Sequence, residues 1–217
     1  MNTIDFGIIG YNKALRIQEE MLEKRISGQI DDTLLVLEHE AVVTLGRIMS
    51  EDELIDRAYY EKKNIPILKT GRGGRATYHA PGQLVLYPIL KLEGQAKNIS
   101  AYIDLLERAA ENALRALGVE AERDAKKRGV WASGKKIAFT GIAIKKWVTY
   151  HGVSVNINNH YCTFPFLRII LQKFRAFSIR IVSAGSARTS LTIAASLFNA
   201  SSFLLDCNCL RVSVSRQ

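Results

Sequence analysis

Residues 1–159 of this 217-residue chain predict an α/β fold, a mixed β-sheet packed with helices. Three observations carry that expectation. Segments of strand pattern and of helical pattern alternate along the chain. The composition, 47% hydrophobic and 24% charged, is that of a folded globular domain, and the length suffices for one α/β core. Basic and acidic residues also nearly balance over this part, 23 against 20.

The elements follow in order. "TIDFGII" predicts an opening strand. Over 11–27, Ala14, Leu15, Met21 and Leu22 fall at helical spacing with charges between them, so this segment predicts an amphipathic helix. "DTLLVLEHE" and "AVVTLG" predict two strands paired with each other. "SEDELIDRAYYEKKN" predicts a short helix with acids in its first turn, where the helix dipole favours them. "IPILKT" predicts a strand leading into a glycine-rich stretch, and "QLVLYPILKL", apolar at odd and even positions alike, a strand buried on both faces. Ser100 is the expected cap of a helix with a core stripe of Tyr102, Leu105, Leu106, Ala109, Ala113, Leu114 and Leu117, ending at Gly118. "GVWASGKKIAFTGIAI" predicts a hairpin with Gly134 in its turn, and "WVTYHGVSVNIN" a further strand.

Residues 160–217 differ in kind. They hold seven Lys and Arg, nine serines, one glycine and a single acid, Asp206, and so carry most of the formal net charge of +9. Their apolar residues keep neither a period of 2 nor one of 3.6 for long. Such basicity suggests a nucleic-acid partner, but the recognisable motifs lie in the charge-balanced residues 1–159, and none is expected. No apolar run reaches the length that crosses a bilayer, and "MNTIDFGIIGYNKAL" lacks the layout of a signal peptide. A cytoplasmic location, no membrane partner and a monomer are expected. Three cysteines, Cys162, Cys207 and Cys209, supply no disulfide framework, and no histidine follows "CNC" to complete a metal set.

Three stretches carry the chemistry. In "TGRGGRATYHAPGQL", Gly71, Gly73 and Gly74 permit close backbone approach, Arg72 and Arg75 offer cations, and His79 is expected to titrate near neutrality. The Walker pattern is absent, and a strand rather than a helix follows, which excludes the dinucleotide fingerprint. A tight strand–loop–strand crossing with a surface histidine remains the alternative to a binding loop. In "GKKIAFTG", Lys135 is expected to be exposed. Lys136 begins an alternating strand, where partial desolvation would lower its pKa and make it a base or the partner of a thiolate. "YHGVSVNIN" is a strand that opens on a His-Gly pair.

In this order and spacing the three resemble the octanoyltransferase family of lipoate biosynthesis, also called lipoate–protein ligase B. The family's R-G-G-[QR]-x-T-Y-H-x-P-G-Q block is matched by "RGGRATYHAPGQ", with Ala80 where glycine is usual. Its G-V-[WY]…G-K-K-[IV] segment is matched by "GVWASGKKIAFTG", and its H-G-x-[AS]-[LV]-N strand by "HGVSVNIN". The resemblance covers residues 1–159. It implies a fold like the biotin/lipoate ligase catalytic domain. It also implies transfer of an octanoyl group from octanoyl-acyl carrier protein to a lysine of lipoyl domains, those of 2-oxoacid dehydrogenases and the glycine cleavage H protein, through a cysteine thioester. Carried over by position, Lys136 lowers the pKa of that thiol. Arg72, Gly73, Gly74, Arg75, Ala76, Thr77, Tyr78 and His79 would bind substrate with Phe139, Thr140, Gly141, Gly152, Val153 and Ser154. The chemistry requires no ATP, metal or other cofactor.

The family nucleophile sits in a P-C-G motif about 34 residues after the lysine. That count ends here at Ile170, inside "FLRIILQK", and the chain contains no P-C-G. Cys162 is too early, while Cys207 and Cys209 are too late. The break coincides with the change in composition, so a frameshift near Asn159 is inferred. Residues 160–217 then form an atypical tail in place of the catalytic segment. Transfer would be impaired; a non-catalytic remnant that binds acyl chains or carrier protein is the alternative.

Overall fold

A computed structural model describes residues 1–50, 57–124 and 127–158. In chain order the elements are β1 (Asn2–Ile9), α1 (Tyr11–Ile26), β2 (Thr33–His39), β3 (Val42–Leu45), α2 (Arg57–Lys62), β4 (Ile67–Lys69), β5 (Ala76–His79), β6 (Gln83–Ile89), α3 (Ile99–Ala116), β7 (Ala121–Asp124), β8 (Lys127–Ala132), β9 (Lys135–Lys145) and β10 (Val148–Asn156). Seven strands form one sheet in the order β1-β2-β6-β10-β9-β8-β7. Only the β1–β2 pair is parallel. A second, three-stranded sheet runs β4-β3-β5.

The two-sided burial expected of "QLVLYPILKL" follows from helices on opposite faces. Leu84 and Leu86 of β6 join Leu34, Val36, Ala110, Ala113 and Leu114 beneath α3, whereas Val85, Tyr87 and Ile89 join Leu35, Leu37, Ala14 and Leu22 beneath α1. Alternate residues of one strand thus feed two cores, as period-2 geometry requires. Each fully buried aliphatic side chain contributes about 1.5–3 kcal/mol.

Three local expectations are corrected. β2 and β3 do not pair: β2 already has β1 and β6 on its two edges, and β3 pairs with β4 and β5 in the small sheet. The cap of α3 is Asn98, whose Oδ1 accepts from the Ala101 N–H at 3.0 Å. Ser100 Oγ instead accepts from Arg128 Nη2 at 3.1 Å, and asparagine serves equally well as a cap. Leu105 of the expected stripe is only half-buried, while Ala110 is fully buried. The hairpin forms as expected, with Ser133 and Gly134 both at positive φ, 50° and 69°. Of the helix expected over 50–64, Arg57–Lys62 is helical, and residues 51–56 lie outside the described part. β7 has no apolar signature in the sequence, because Glu122, Arg123 and Asp124 are exposed on the sheet's edge strand.

Among the described residues no helix is long and apolar enough to cross a membrane. Expectations about 160–217, including Cys162, Ile170, Cys207 and Cys209, lie outside the described residues.

Candidate active site

A cleft opens where the glycine-rich stretch crosses the α1 side of the large sheet. Arg72, Thr77 and His79 form one wall, and β6 supplies Val85 and Tyr87. β9 supplies Phe139, Thr140 and Gly141; β10 supplies His151, Gly152, Val153 and Ser154. Thr77, Phe139, Thr140 and Gly141 at the rim are half-buried, whereas the floor, with Tyr87, His151 and Val153, is sealed.

The structure therefore brings together nine of the residues named from sequence, Arg72, Thr77, His79, Phe139, Thr140, Gly141, Gly152, Val153 and Ser154. Gly73, Gly74, Arg75, Ala76, Tyr78 and Lys136 lie outside the lining. Tyr78 is buried in the core of the small sheet with Val43, Leu45 and Tyr60, and Ala76 packs against the same cluster. The Gly73 N–H donates to the Ile142 carbonyl at 2.8 Å and pins the loop to β9. The Gly74 carbonyl lies where a Cβ on Gly46 would come within 2.1 Å of it. Gly46 thus makes room for the loop, while Gly74 itself takes a positive φ of +86°.

Arg72 is buried and ties the two sheets. Its Nε and Nη2 donate to Thr44 Oγ1 at 3.2 and 2.8 Å, Nη2 also to the Thr44 carbonyl at 2.7 Å, and Nη1 to the Gly73 carbonyl at 2.9 Å. No described carboxylate pairs with it, and burial lowers its pKa.

His79 is not the surface group of the alternative reading. It is buried, with Nδ1 2.6 Å from Gln83 Oε1, and Gln83 Nε2 donates in turn to Asn156 Oδ1 at 2.9 Å. Burial first, then the charges of His39 and Arg72, hold its pKa well below the ordinary value, so it does not titrate near neutrality. His39 and His151 are also sealed in, at about 4 and about 3, with burial the main cause in each. His39 sits between the Ile9 carbonyl, 3.1 Å from Nδ1, and the Tyr87 hydroxyl, 2.8 Å from Nε2.

These three imidazoles make the fold acid-sensitive. Below about pH 6.5 the unfolded chain protonates them and the folded chain does not, so stability falls as pH drops. The slope approaches three protons, about 4 kcal/mol per pH unit, until the depressed native values are reached. Urea midpoints measured from pH 7.5 to pH 5 should fall steeply. A flat profile across that range would contradict the sealed, neutral cluster.

Lys136 reaches the rim through a register shift. Val130 pairs with Ala138 but Trp131 with Lys136, leaving Ile137 as an extra residue in β9. Such a bulge re-aims the side chains that follow it, and here it sets Lys136 on the face of Trp131 and Phe139. Its Nζ lies 5.0 Å from the centre of the Phe139 ring and 5.9 Å from that of Trp131. Burial pushes its pKa down to about 8, opposed by the charge of Glu107. Gly129 makes the space: a Cβ there would lie 2.2 Å from Lys136 Cε, and its φ is +109°. Glu107 of α3 accepts from the Gly129 N–H at 2.7 Å, and burial raises its pKa.

Thr44, Gln83, Tyr87, Glu107 and His151 were not among the residues picked from sequence. His151 had one local signal, its place before a glycine in a strand; the others look like ordinary strand or helix residues. Among the described residues no cluster of His, Cys, Asp or Glu is suited to a metal.

This architecture has relatives. Residues 10–191 match the lipoyl protein ligase A/B catalytic domain. An octanoyltransferase of Solibacter usitatus is 40% identical over 167 residues, 74% of each chain. One of Caldicellulosiruptor bescii is 40% identical over 170 residues, 77% of this chain and 75% of that one. Among solved structures, a bipartite lipoate protein ligase of Thermoplasma acidophilum superposes with TM-score 0.70 at 17% identity, covering 92% of this chain and 82% of that one. The biotin protein ligase of Aquifex aeolicus gives 0.55 at 14%, covering 92% and 69%. The last two share the fold, as expected from sequence; the match of sequence over three quarters of the chain goes further, and the chain belongs to the octanoyltransferase family of acyltransferases.

Proposed function

We propose that the cleft holds an octanoyl chain taken from octanoyl-acyl carrier protein and destined for a lysine of a lipoyl domain. The observation that carries this reading is Lys136, half-buried over Phe139 at the rim with its pKa pushed down to about 8. An amine so poised accepts a thiol proton near neutrality and, as an ammonium, stabilises the thiolate. In the intact reaction a cysteine thiolate attacks the thioester carbonyl. The acyl group moves to that sulfur, the carrier thiolate leaves with a proton, and the acceptor amine repeats the exchange. Val85, Tyr87 and Phe139 give the chain apolar walls, and Thr77 and Ser154 place hydroxyls among them.

The same reading has this chain lacking the nucleophile. The position expected to hold P-C-G reads "FLRIILQK", and no P-C-G occurs elsewhere. The protein is then an acyl-binding remnant with its pocket retained. Incubation with octanoyl-acyl carrier protein, followed by intact-mass measurement, should return the unmodified mass. An octanoyl adduct on Cys162, Cys207 or Cys209 would show that a substitute nucleophile exists and would end the remnant reading. No nucleic acid, metal or nucleotide takes part.

A further inference from the structure

The floor of the cleft is polar where an acyl chain would end. His151 is 1% exposed, yet neither ring nitrogen has a hydrogen-bond partner. Buried polar groups are nearly always paired, so orphaned ones in a cleft point to a role there. The backbone of His151 adds a second observation. Its φ is +56°, a left-handed conformation that a non-glycine residue holds inside a strand only at a cost of about 1–3 kcal/mol. The conformation is held from outside the strand, since the His151 N–H donates to Oε1 of the buried Gln18 at 2.8 Å. The imidazole thereby stands at the sealed end, edge-on to Tyr87 at 6.0 Å.

We propose that His151 is a specificity-determining end wall that sets the length of the acyl chain. This rests on the acyl-pocket reading, with the thioester at the Lys136 end. Phe139 pairs with Ser154 at that end, and Ile142 with His151 at the other. The three residue steps between those pairs span about 10 Å at 3.3–3.4 Å each. An extended octanoyl group, with seven C–C bonds of about 1.5 Å at near-tetrahedral angles, is roughly 9 Å long. A chain of eight carbons therefore stops at the imidazole. Longer chains would press methylenes against both nitrogens and against the buried Arg72 guanidinium, desolvating polar groups that they cannot pair.

The test is binding of saturated fatty acids of six to twelve carbons to the full-length protein, by isothermal titration at fixed pH. Wild type should prefer eight carbons, with affinity falling at least tenfold by twelve. His151→Gly keeps the left-handed backbone without strain and removes the wall, so it should move the optimum to ten or twelve carbons. His151→Asn, a residue that tolerates this conformation, serves if the glycine variant does not fold, and should move it by a smaller step. If either folded variant weakens or keeps all lengths alike, His151 is merely structural and the proposal is overturned. If wild type binds no chain, the acyl-pocket reading falls, and the end wall with it.

Discussion

Purified full-length protein, given octanoyl-acyl carrier protein and a lipoyl domain, should transfer octanoyl on the order of 10⁴-fold or more slowly than the Solibacter usitatus relative. The covalent route divides one hard displacement into two easier ones; without the sulfur the first half has no attacking atom and the second has no acyl-enzyme for the acceptor amine to attack. Lys136 and the cleft walls then have nothing to activate. Proximity adds little, because near-attack geometry tolerates only small displacement of a substitute group. Gel-shift or mass analysis of the lipoyl domain reads the result. Transfer within tenfold of the relative would refute the loss of the nucleophile. The nucleotide sequence supplies an independent check: a P-C-G codon run in another frame downstream of codon 159 is expected, and its absence removes the frameshift.

Gly152→Ala should be among the most damaging single methyls in the described fold. A Cβ at this position would lie 2.2 Å from the Leu86 carbonyl oxygen and 2.7 Å from Pro88 Cδ. Both neighbours belong to β6, which sits at the centre of the large sheet between β2 and β10. Neither is the far end of a flexible side chain, so the two strands must separate. The expected loss is about 3 kcal/mol, the upper part of the overpacking range. For a chain of this size that lowers the melting temperature by about 6–12 °C. Gly134→Ala is the comparison. Nothing lies within 4 Å of a Cβ there, and its φ of +69° alone sets a loss of about 1 kcal/mol. Thermal unfolding of the two variants gives the ratio. An unchanged melting temperature for Gly152→Ala would mean that β6 and β10 are not so closely approached.

The site was unevenly legible before the structure. Lys136 was found because two lysines beside a turn feed an apolar strand, a local pattern. That it lies over the ring of Phe139 was not legible, since strict alternation from Ala138 would send it to the α3 side; the extra residue Ile137 reverses it. His79, named from sequence, lines the cleft, but its expected titration near neutrality was wrong. Its burial depends on Gln83, Asn156, Thr44 and Tyr11, gathered from four other elements or their ends. In the glycine-rich stretch the crowding is not at Gly73 or Gly74 but at Gly46, far off in sequence, against the Gly74 carbonyl.

What the sequence determined by itself is whatever repeats within a few residues. Helix α1, the two-faced burial of β6, the turn at Gly134 and the absence of P-C-G belong to this class, because periodicity, turn chemistry and motif are local. Tertiary structure decided which strands became neighbours, so that β2 and β3, two residues apart, lie in different sheets. It also decided which polar groups lost water. Desolvation depends on every atom nearby regardless of sequence distance, and for that reason the neutral histidines, the lowered pKa of Lys136 and the unpartnered His151 wall appear only once the chain is folded.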